Sequence, residues 1–273
     1  MELAGKTAIV TGSARGIGEG IAMVLVREGA NVVINSRKAE ECADVVKKIT
    51  AAGGRAIAIG ADVSKKAEVA AMVAETVQQF GAVDILVNNA GIESHPVLTM
   101  ELEEDSWDRV LNVNLKGSFL CCQAVIPQMM KQNQGRIINI GSTASIRIAF
   151  FGSVEYTASK YGQAGLAQHL AWELADSNIT VNTVCPGSVL SPLMEAGTTP
   201  EYREMTVKRL IPLGRFTTIE EIGETVSFLA SDRAAMITGQ MIAVDGGALT
   251  GFGEDLRATV RQRMADFKAA GTH

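Results

Sequence analysis

The sequence is short of the residues from which metal sites and disulfide frameworks are built. It has three histidines and four cysteines in 273 residues, and aromatic residues make up 5%. The cysteines, at positions 42, 121, 122 and 185, lack the spacing of a disulfide framework or a zinc site. We therefore expect no metal, and we expect a reducing, cytoplasmic compartment.

Long hydrophobic runs and an excess of basic charge are also lacking. No apolar run approaches the roughly 18 residues of a membrane span. The first residues, "MELAGKTAIV", do not place a basic segment before a long apolar one, so no secretion signal is expected. The formal net charge of −5 is unfavourable for binding nucleic acid or an anionic membrane. The sequence thus predicts neither as a partner.

Short runs rich in valine and isoleucine alternate with longer helical patterns along the chain. The predicted strands are 7–11, 31–35, 56–60, 85–88, 136–140, 180–184 and 241–244. Their nearly continuous hydrophobicity is typical of parallel strands that are covered on both faces. The alternation predicts an α/β fold, a Rossmann-like doubly wound parallel sheet of seven strands with helices on both faces.

The domain organisation is predicted to be simple. Residues 1–250 show no internal boundary or linker and are expected to form one Rossmann-fold domain. Residues 188–213 interrupt the alternation beside the expected ligand-binding edge of the sheet, so we predict a substrate lid there. An ordinary surface excursion is the alternative. Residues 251–273 are expected to be a C-terminal extension that either packs on a neighbouring subunit or frays.

The first strand is followed by a glycine-rich turn, "TGSARGIGEG", and then by a helical pattern. Gly12 permits a tight turn, and Gly16 and Gly18 leave room for a pyrophosphate and for the sheet. The N–H groups and the dipole of the following helix favour an anion. We predict a dinucleotide phosphate cradle that also includes Ser13 and Ile17, although glycine-rich turns also arise for structural reasons alone.

The end of the second strand favours NADP over NAD. An acidic residue stands there in an NAD site, whereas this chain reads Asn35-Ser36-Arg37-Lys38, without a carboxylate to repel a 2′-phosphate. Arg37 is expected to accept that phosphate, with Ser36 beside it and Arg15 covering it from the turn. The alternative is that Arg37 and Lys38 are ordinary solvated charges.

A later helical stretch, "EYTASKYGQAGL", contains a tyrosine and a lysine four residues apart. Tyr156 and Lys160 therefore face the same side of a helix. The pKa of a phenol is near 10, and a neighbouring ammonium lowers it, so the pair predicts an acid and base for a carbonyl/alcohol pair. The preceding strand delivers Ser142 to the same edge, where its hydroxyl is expected to bind the substrate oxygen.

Taken together, these motifs resemble the short-chain dehydrogenase/reductase family, in its single-domain branch. The resemblance spans about residues 5–248 and implies hydride transfer between a nicotinamide coenzyme and a ketone or secondary alcohol. The segments that carry it are Thr11-Gly12-x-x-x-Gly16-Ile17-Gly18, Asp62-Val63, Asn88-Asn89-Ala90-Gly91, Asn112-Val113-Asn114, Ser142, Tyr156-x-x-x-Lys160, Pro186-Gly187 and Asp245-Gly246-Gly247.

The same resemblance implies roles for individual residues. Tyr156 is implied as the general acid/base, Lys160 as the group that lowers its pKa and binds the nicotinamide ribose. Ser142 is implied to orient the substrate oxygen, and Asn114 to hold a water that links Lys160 to solvent. The implied coenzyme contacts are Asp62 and Val63 at the adenine, Asn89 and Gly91 beside the adenosine ribose, and Pro186, Gly187, Ser188 and Val189 over the nicotinamide.

The substrate is less well determined by the sequence. Pocket walls are expected from residues 93–97, 146–151 and 188–193 and from the lid. Arg147 either binds an anionic group or faces solvent, and His95 is either a pocket contact or incidental. We favour an NADP-dependent oxidoreductase acting on a ketone or secondary alcohol of a small or medium metabolite.

Two alternatives stay open. One is a 3-oxoacyl-acyl-carrier-protein reductase, which needs basic residues beside the cleft, and the candidates are Lys208, Arg209 and Arg215. The other is a non-catalytic NADP-binding regulator, which the intact catalytic set disfavours. The resemblance also implies a homotetramer, or else a homodimer, assembled through the helices predicted at 107–130 and 156–174.

Overall fold

The computed structural model describes residues 1–93, 97–148, 152–190, 194, 195, 198–251 and 262. Its strands are β1 Thr7–Val10, β2 Asn31–Ser36, β3 Arg55–Gly60, β4 Ile85–Asn88, β5 Gly135–Ile140, β6 Ile179–Pro186 and β7 Met241–Val244. They form one parallel sheet in the order β3-β2-β1-β4-β5-β6-β7. The predicted doubly wound sheet of seven strands is confirmed.

Helices connect the strands. The described part of the chain includes the α-helices α1 Gly16–Arg27, α2 Ala43–Ala51, α3 Lys66–Phe80, α4 Glu104–Leu111, α5 Gly117–Gln132, α6 Val154–Glu173, α7 Pro200–Leu210 and α8 Ile219–Ala230. A π-helical segment, Asn112–Lys116, joins α4 to α5. Short 3-10 turns lie at Ala39–Cys42, Thr99–Glu101, Thr143–Ser145, Ala175–Ser177, Asp232–Ala234 and Ala248–Thr250.

The central strands of the sheet are buried on both faces, which explains their continuous hydrophobicity. Successive side chains of a strand point to opposite faces. Val10 and Ile34 belong to a core that includes residues of α1 and α8, whereas Ile9 and Val33 belong to a second core with residues of α3 and α5. Every residue of β1 is therefore buried.

Several strand limits differ by one or two residues from the sequence prediction, and the ends of β1 and β6 have a clear structural reason. β1 ends at Val10 because Thr11 turns towards the loop after β4, where its hydroxyl accepts hydrogen bonds from the N–H groups of Asn89 and Ala90 at 3.0 Å. β6 runs to Pro186, two residues further than predicted, because it stays paired with β7 up to the Pro186–Val244 position.

The predicted lid is described in part, at residues 188–190, 194, 195 and 198–213. Within it α7 begins after Thr199, whose hydroxyl accepts a hydrogen bond from the Tyr202 N–H at 3.2 Å. His95, residues 149–151 and, apart from Gly251 and Gln262, the predicted C-terminal extension 251–273 lie outside the described residues.

Two further properties concern the described part of the chain only. Its helices include none that is both long and apolar enough to traverse a lipid bilayer. It also holds no group of three or more histidine, cysteine, aspartate or glutamate side chains arranged to bind a metal ion.

Candidate active site

The predicted functional segments meet at one edge of the sheet. The strands are parallel, so their carboxyl ends lie on the same side. The glycine turn follows β1, Asn89 follows β4, Ser142 follows β5 and Gly187 follows β6. The topology therefore brings together residues that are far apart in the sequence.

The glycine turn packs directly against the loop after β4. Gly12 has a φ of +62°, and a Cβ placed on it would lie 2.8 Å from the Ala90 Cα. A Cβ on Gly18 would lie 2.5 Å from the Gly12 carbonyl oxygen and 2.5 Å from the side-chain amide nitrogen of Asn89. A Cβ on Gly16, in contrast, would meet no atom within 4 Å. The turn thus leaves open space beside the N-terminus of α1.

Ser13 fastens this turn to the second strand. Its hydroxyl donates to the Val10 carbonyl oxygen at 2.6 Å and accepts from the Asn35 N–H at 3.0 Å. The residue is completely buried. Its side chain is therefore engaged within the fold, while Arg15, two residues later, is exposed at the start of α1.

Ser36, Arg37 and Asp62 lie together at the ends of β2 and β3. Burial raises the pKa of Asp62, but hydrogen bonds from Ser64 and nearby positive charge, including that of the exposed Arg37, outweigh it and lower the pKa overall. The Ser36 hydroxyl donates to the carboxylate of Glu41. This corrects the expectation that no carboxylate stands near the predicted 2′-phosphate site.

The predicted contacts continue along the edge towards the predicted catalytic residues. Val63 is buried against the start of α5, where a Cβ on Gly117 would lie 2.8 Å from a Val63 methyl group. A Cβ on Gly91 would lie 3.4 Å from Asn114 Oδ1 and 3.7 Å from Lys160 Nζ. Gly91 therefore borders the buried polar groups of the site.

A short 3-10 turn at the end of β5 presents Ser142. The Ser142 hydroxyl accepts a hydrogen bond from the Ala144 N–H at 3.1 Å, and the Ser142 N–H donates to Ser145 Oγ at 3.3 Å. The Ser142 hydroxyl also lies beside Tyr156 and acts to lower the pKa of its phenol. Because the Ala144 bond occupies a lone pair, the hydroxyl hydrogen stays available to the Tyr156 side.

The structure corrects the expected lowering of the Tyr156 pKa. Burial of the phenol, together with the negative charge of Glu93, raises this pKa to about 12, and the Ser142 hydroxyl opposes that only in part. Lys160 Nζ lies 5.7 Å from the centre of the tyrosine ring, but it is hydrogen-bonded elsewhere. At neutral pH Tyr156 is therefore a protonated phenol, which is the form that donates a proton.

Lys160 is buried beneath the same edge. Its Nζ donates to the Ile140 carbonyl oxygen at 2.8 Å and to Gln163 Oε1 at 3.0 Å. Burial lowers its pKa to about 8, against raising effects of Cys185 and of the Glu93 carboxylate. The side chain therefore carries its positive charge at neutral pH and loses it in mildly alkaline solution.

Asn114 lies in the π-helical segment and is completely buried. Its Oδ1 accepts from the Ile92 N–H at 2.8 Å, while its Nδ2 donates to the Ile92 carbonyl oxygen at 3.0 Å and to Ser159 Oγ at 3.1 Å. The side chain thus clamps the loop after β4 to α6 and fixes the backbone just before Glu93. The water relay implied for Asn114 stays a prediction.

The segment after β6 is held by two neighbours. A Cβ on Gly187 would lie 2.8 Å from the Asp245 Cα. The Thr217 N–H donates to the Ser188 carbonyl oxygen at 3.0 Å, and Val189 forms an isolated parallel bridge with Thr217. These contacts fix the segment predicted to cover the nicotinamide.

The rim of the cleft is less completely described. Arg147 is half-buried, and Ile148 is exposed. His95, Phe150 and Phe151, which were predicted to line the pocket, lie outside the described residues.

Sequence reasoning missed several buried polar groups around the predicted catalytic residues. Gln163 and Ser118 are buried and hydrogen-bonded to each other at 2.6 Å, and Ser159 is bonded to Asn114. A signal was present, because Gln163 follows Lys160 by three residues, a spacing that makes two side chains neighbours on a helix.

Comparisons with known proteins extend these findings. The family model described as enoyl-(acyl carrier protein) reductase matches residues 12–249. The chain is 46% identical over 243 residues to 3-oxoacyl-acyl-carrier-protein reductase FabG of Staphylococcus aureus, covering 89% of this chain and 97% of the relative. It is 39% identical over 247 residues to the protein of that name from Thermotoga maritima, covering 90% and 99%.

A solved structure gives a similar result. A protein from Sinorhizobium meliloti that is assigned as a short-chain alcohol dehydrogenase matches with a TM-score of 0.87 and 37% sequence identity. The match covers 92% of this chain and 99% of that one. The likeness therefore extends over the whole sheet and the edge that carries the site.

Proposed function

The chain belongs to the short-chain dehydrogenase/reductase family and is an oxidoreductase acting on CH–OH groups, and from that premise we propose that it reduces a ketone to a secondary alcohol, with Tyr156 as the proton donor. The observation that carries the proposal is the position of the buried Tyr156 phenol, beside Ser142 and with Lys160 Nζ 5.7 Å from the centre of its ring. A protonated phenol at this position can protonate a carbonyl oxygen that gains negative charge.

Each of the three side chains has a defined task in this reduction. The Ser142 hydroxyl, fixed by the Ala144 N–H, donates a hydrogen bond to the substrate oxygen and stabilises its developing charge. Tyr156 transfers its proton to that oxygen, and the Lys160 ammonium stabilises the phenolate that remains. A nicotinamide coenzyme supplies the hydride when it is bound.

We propose NADP as the preferred coenzyme and NAD as the less favoured one. The open space at Gly16 fits a pyrophosphate at the N-terminus of α1, and the exposed Arg15 and Arg37 fit a 2′-phosphate. The exposed Glu41, bonded to Ser36, opposes that phosphate. The preference for NADP therefore requires that the two arginines outweigh the nearby carboxylates of Glu41 and Asp62.

The remaining coenzyme contacts are proposed from their places along the edge. Asp62 and Val63 lie at the adenosine end, and Asn89 and Gly91 lie between that end and Lys160. The proposed set further comprises Gly12, Gly16, Ile17 and Gly18 of the turn, Ser36 and Arg37 of β2 and its end, and Pro186, Gly187 and Val189 after β6.

The leading substrate is a ketone of a small or medium metabolite, and a 3-oxoacyl group on acyl carrier protein is the second candidate. The names of the similar proteins from Staphylococcus aureus and Thermotoga maritima favour the second. Lys208 and Arg209 are exposed at the end of α7, in the proposed lid, and offer positive charge to an acidic carrier. Arg215 is less suited, because it pairs with Glu221 at 2.5 and 2.9 Å.

The proposal is tested with a panel of ketones, 3-oxoacyl-coenzyme A thioesters and 3-oxoacyl carrier protein, each with NADPH and with NADH. NADPH-dependent reduction of a ketone, abolished by Tyr156→Phe, supports the proposal. A preference for the carrier-bound substrate that the double variant Lys208→Glu/Arg209→Glu reduces supports the second candidate. If NADPH binds and no carbonyl in the panel is reduced, the non-catalytic regulator becomes the better explanation.

We also propose that the protein is a cytoplasmic homotetramer, with a homodimer as the second choice. The four cysteines are free and buried, as is usual in a reducing compartment. Helices α5 and α6 expose Phe119, Tyr161 and Trp172, the last of them 81% accessible, and a large apolar surface of this kind marks a protein interface. Sedimentation velocity of the wild type and of Trp172→Glu tests the assembly.

A further inference from the structure

Three hydrogen bonds connect Lys160 to the main chain of the π-helical segment. Lys160 Nζ donates to Gln163 Oε1 at 3.0 Å, and Gln163 Nε2 donates to Ser118 Oγ at 2.6 Å. Ser118 Oγ in turn donates to the Asn114 carbonyl oxygen at 2.8 Å. Gln163 has no exposed surface, and Lys160 and Ser118 are also buried.

The chemistry of the partners determines which way the Gln163 amide points. A lysine ammonium has donors only, so it must face the amide oxygen. The amide NH₂ group then faces Ser118, which can accept from it and still donate to the Asn114 carbonyl oxygen. Every bond in the line runs in one direction, and the amide is fixed at both ends.

The Ile140 carbonyl oxygen provides the second anchor for the same ammonium. Nζ has three hydrogens, and two are directed to Ile140 at 2.8 Å and Gln163 at 3.0 Å. The third is left for the side of the cleft where Gly91 and Tyr156 lie, since a Cβ on Gly91 would be 3.7 Å from Nζ and the Tyr156 ring centre is 5.7 Å away.

We propose that Gln163 is a positioning residue which holds the Lys160 ammonium between α6 and β5, so that its remaining N–H points into the cleft. The proposal rests on the proposed function, because it assigns Gln163 a role through Lys160. A buried polar side chain that is bonded at both ends is rigid, and a charged donor with a fixed partner is more easily kept in its protonated form.

The effect of Gln163 on the Lys160 ammonium can be measured as a change in the Lys160 pKa. Cys185 of β6 and Glu93 of the loop after β4 act on its charge, and Tyr156 of its own helix lies beside it. Burial lowers the Lys160 pKa to about 8. The neutral amide of Gln163 favours the charged form, so replacing that amide must move the pKa in a direction set by the new side chain.

The test uses two substitutions at Gln163 that have opposite expected signs. Gln163→Met keeps the length of the side chain and removes the acceptor, so the alkaline limb of kcat/KM for ketone reduction should move down by about one pH unit. Gln163→Glu keeps the acceptor and adds a negative charge, so the limb should move up by about one unit or more. Ser118→Ala, which frees only the far end of the amide, should give a smaller downward shift.

A second readout does not depend on activity. In the folded protein Lys160 releases its proton near pH 8, whereas in the unfolded chain it does so near 10.5. The contribution of Lys160 to the free energy of unfolding therefore increases as the pH rises between those values. As the pH rises from about 7 to 8, the free energy of unfolding of Gln163→Met should increase relative to that of the wild type. As the pH rises from about 8 to 9, the free energy of unfolding of Gln163→Glu should decrease relative to that of the wild type. Thr76→Val, a buried change whose hydroxyl bonds only its own helix at Met72, is the control and should show no such pH dependence.

The outcomes separate this inference from the proposed function. Opposite shifts for the two Gln163 variants support the inference. If both variants keep the wild-type limb and the wild-type pH dependence of unfolding, while Tyr156→Phe is inactive, the inference is wrong and the proposed function stands. If Tyr156→Phe is fully active, the proposed function fails, and the unfolding measurements still decide whether Gln163 holds Lys160. Should Gln163→Met fail to fold, the shifts of Gln163→Glu and Ser118→Ala decide in the same way.

Discussion

Lys160 Nζ donates to the carbonyl oxygen of Ile140 at 2.8 Å, and so the lysine of α6 is tied to the last residue of β5. Ser142 follows Ile140 by two residues and lies beside Tyr156, one turn before Lys160 on α6. One strand end and one helix therefore position all three groups. Their relative placement depends on regular secondary structure and not on the loops at the rim.

Tyr156→Phe should abolish ketone reduction and leave the fold unchanged. The substitution removes the proton donor but keeps the ring, so we expect kcat to fall by about 10²- to 10⁴-fold, the usual contribution of a positioned acid. Binding of NADPH, measured by fluorescence titration, should stay within about twofold of the wild type. Tyr161→Phe, on the same helix but exposed, is the matched control and should be fully active. Retention of more than a tenth of the wild-type kcat by Tyr156→Phe would contradict the assignment.

Arg37→Asp should reverse the coenzyme preference. Loss of a charge-assisted hydrogen bond to a phosphate costs about 1.5–3 kcal/mol, so KM for NADPH should rise by about 10- to 100-fold, whereas KM for NADH should stay equal or fall. Lys38→Ala is the control and should change neither value by much.

Glu41 offers an independent check on the same site. Because its carboxylate accepts from Ser36 at the end of β2, Glu41→Gln should remove a repulsion and strengthen NADPH binding severalfold without affecting NADH. An unchanged ratio of the two affinities in both Arg37→Asp and Glu41→Gln would show that the 2′-phosphate lies elsewhere.

The activity in ketone reduction should fall above about pH 8. Burial lowers the Lys160 pKa to about 8, and burial and Glu93 raise that of Tyr156 to about 12. As the pH rises, the ammonium is lost first while the phenol keeps its proton, so the first alkaline limb of kcat/KM belongs to Lys160. Rates measured from pH 6 to 10 at saturating coenzyme should show this limb. A profile that is flat to pH 10 would mean that the Lys160 charge is not required.

Much of the fold could be predicted because the signals are local. The runs of valine and isoleucine that form β1 and β4 are buried on both faces, and their nearly continuous hydrophobicity indicates this directly. The spacing of Tyr156 and Lys160 likewise determines that they share a helix face. A local sequence pattern could not predict the environment of the Tyr156 and Lys160 side chains. The raised pKa of Tyr156 depends on burial of the phenol and on the negative charge of Glu93, which lies in another loop.

Side-chain hydrogen bonds between distant elements of the fold could not be predicted from the sequence either. The Asn114 motif indicated a functional asparagine, but its clamp on Ile92 depends on how the π-helical segment faces the loop after β4. Ser13 was predicted as a coenzyme contact from its position in the turn, yet its hydroxyl bonds Val10 and Asn35 inside the protein. Such outcomes follow from three-dimensional packing, which spacing along the chain does not specify.

Two glycines in helices should respond in opposite ways to the same substitution. A Cβ on Gly18 would lie 2.5 Å from the Gly12 carbonyl oxygen and 2.8 Å from the Ser13 Cα, which are main-chain atoms that cannot move without opening the turn. Gly18→Ala should therefore lower the free energy of unfolding by about 3 kcal/mol or more and weaken coenzyme binding. A Cβ on Gly165 in α6 would meet no atom within 4 Å, so Gly165→Ala should raise the free energy of unfolding by up to about 1 kcal/mol through helix propensity. Urea unfolding of both variants measures the pair, and equal effects would show that the turn does not pack against α1 as described.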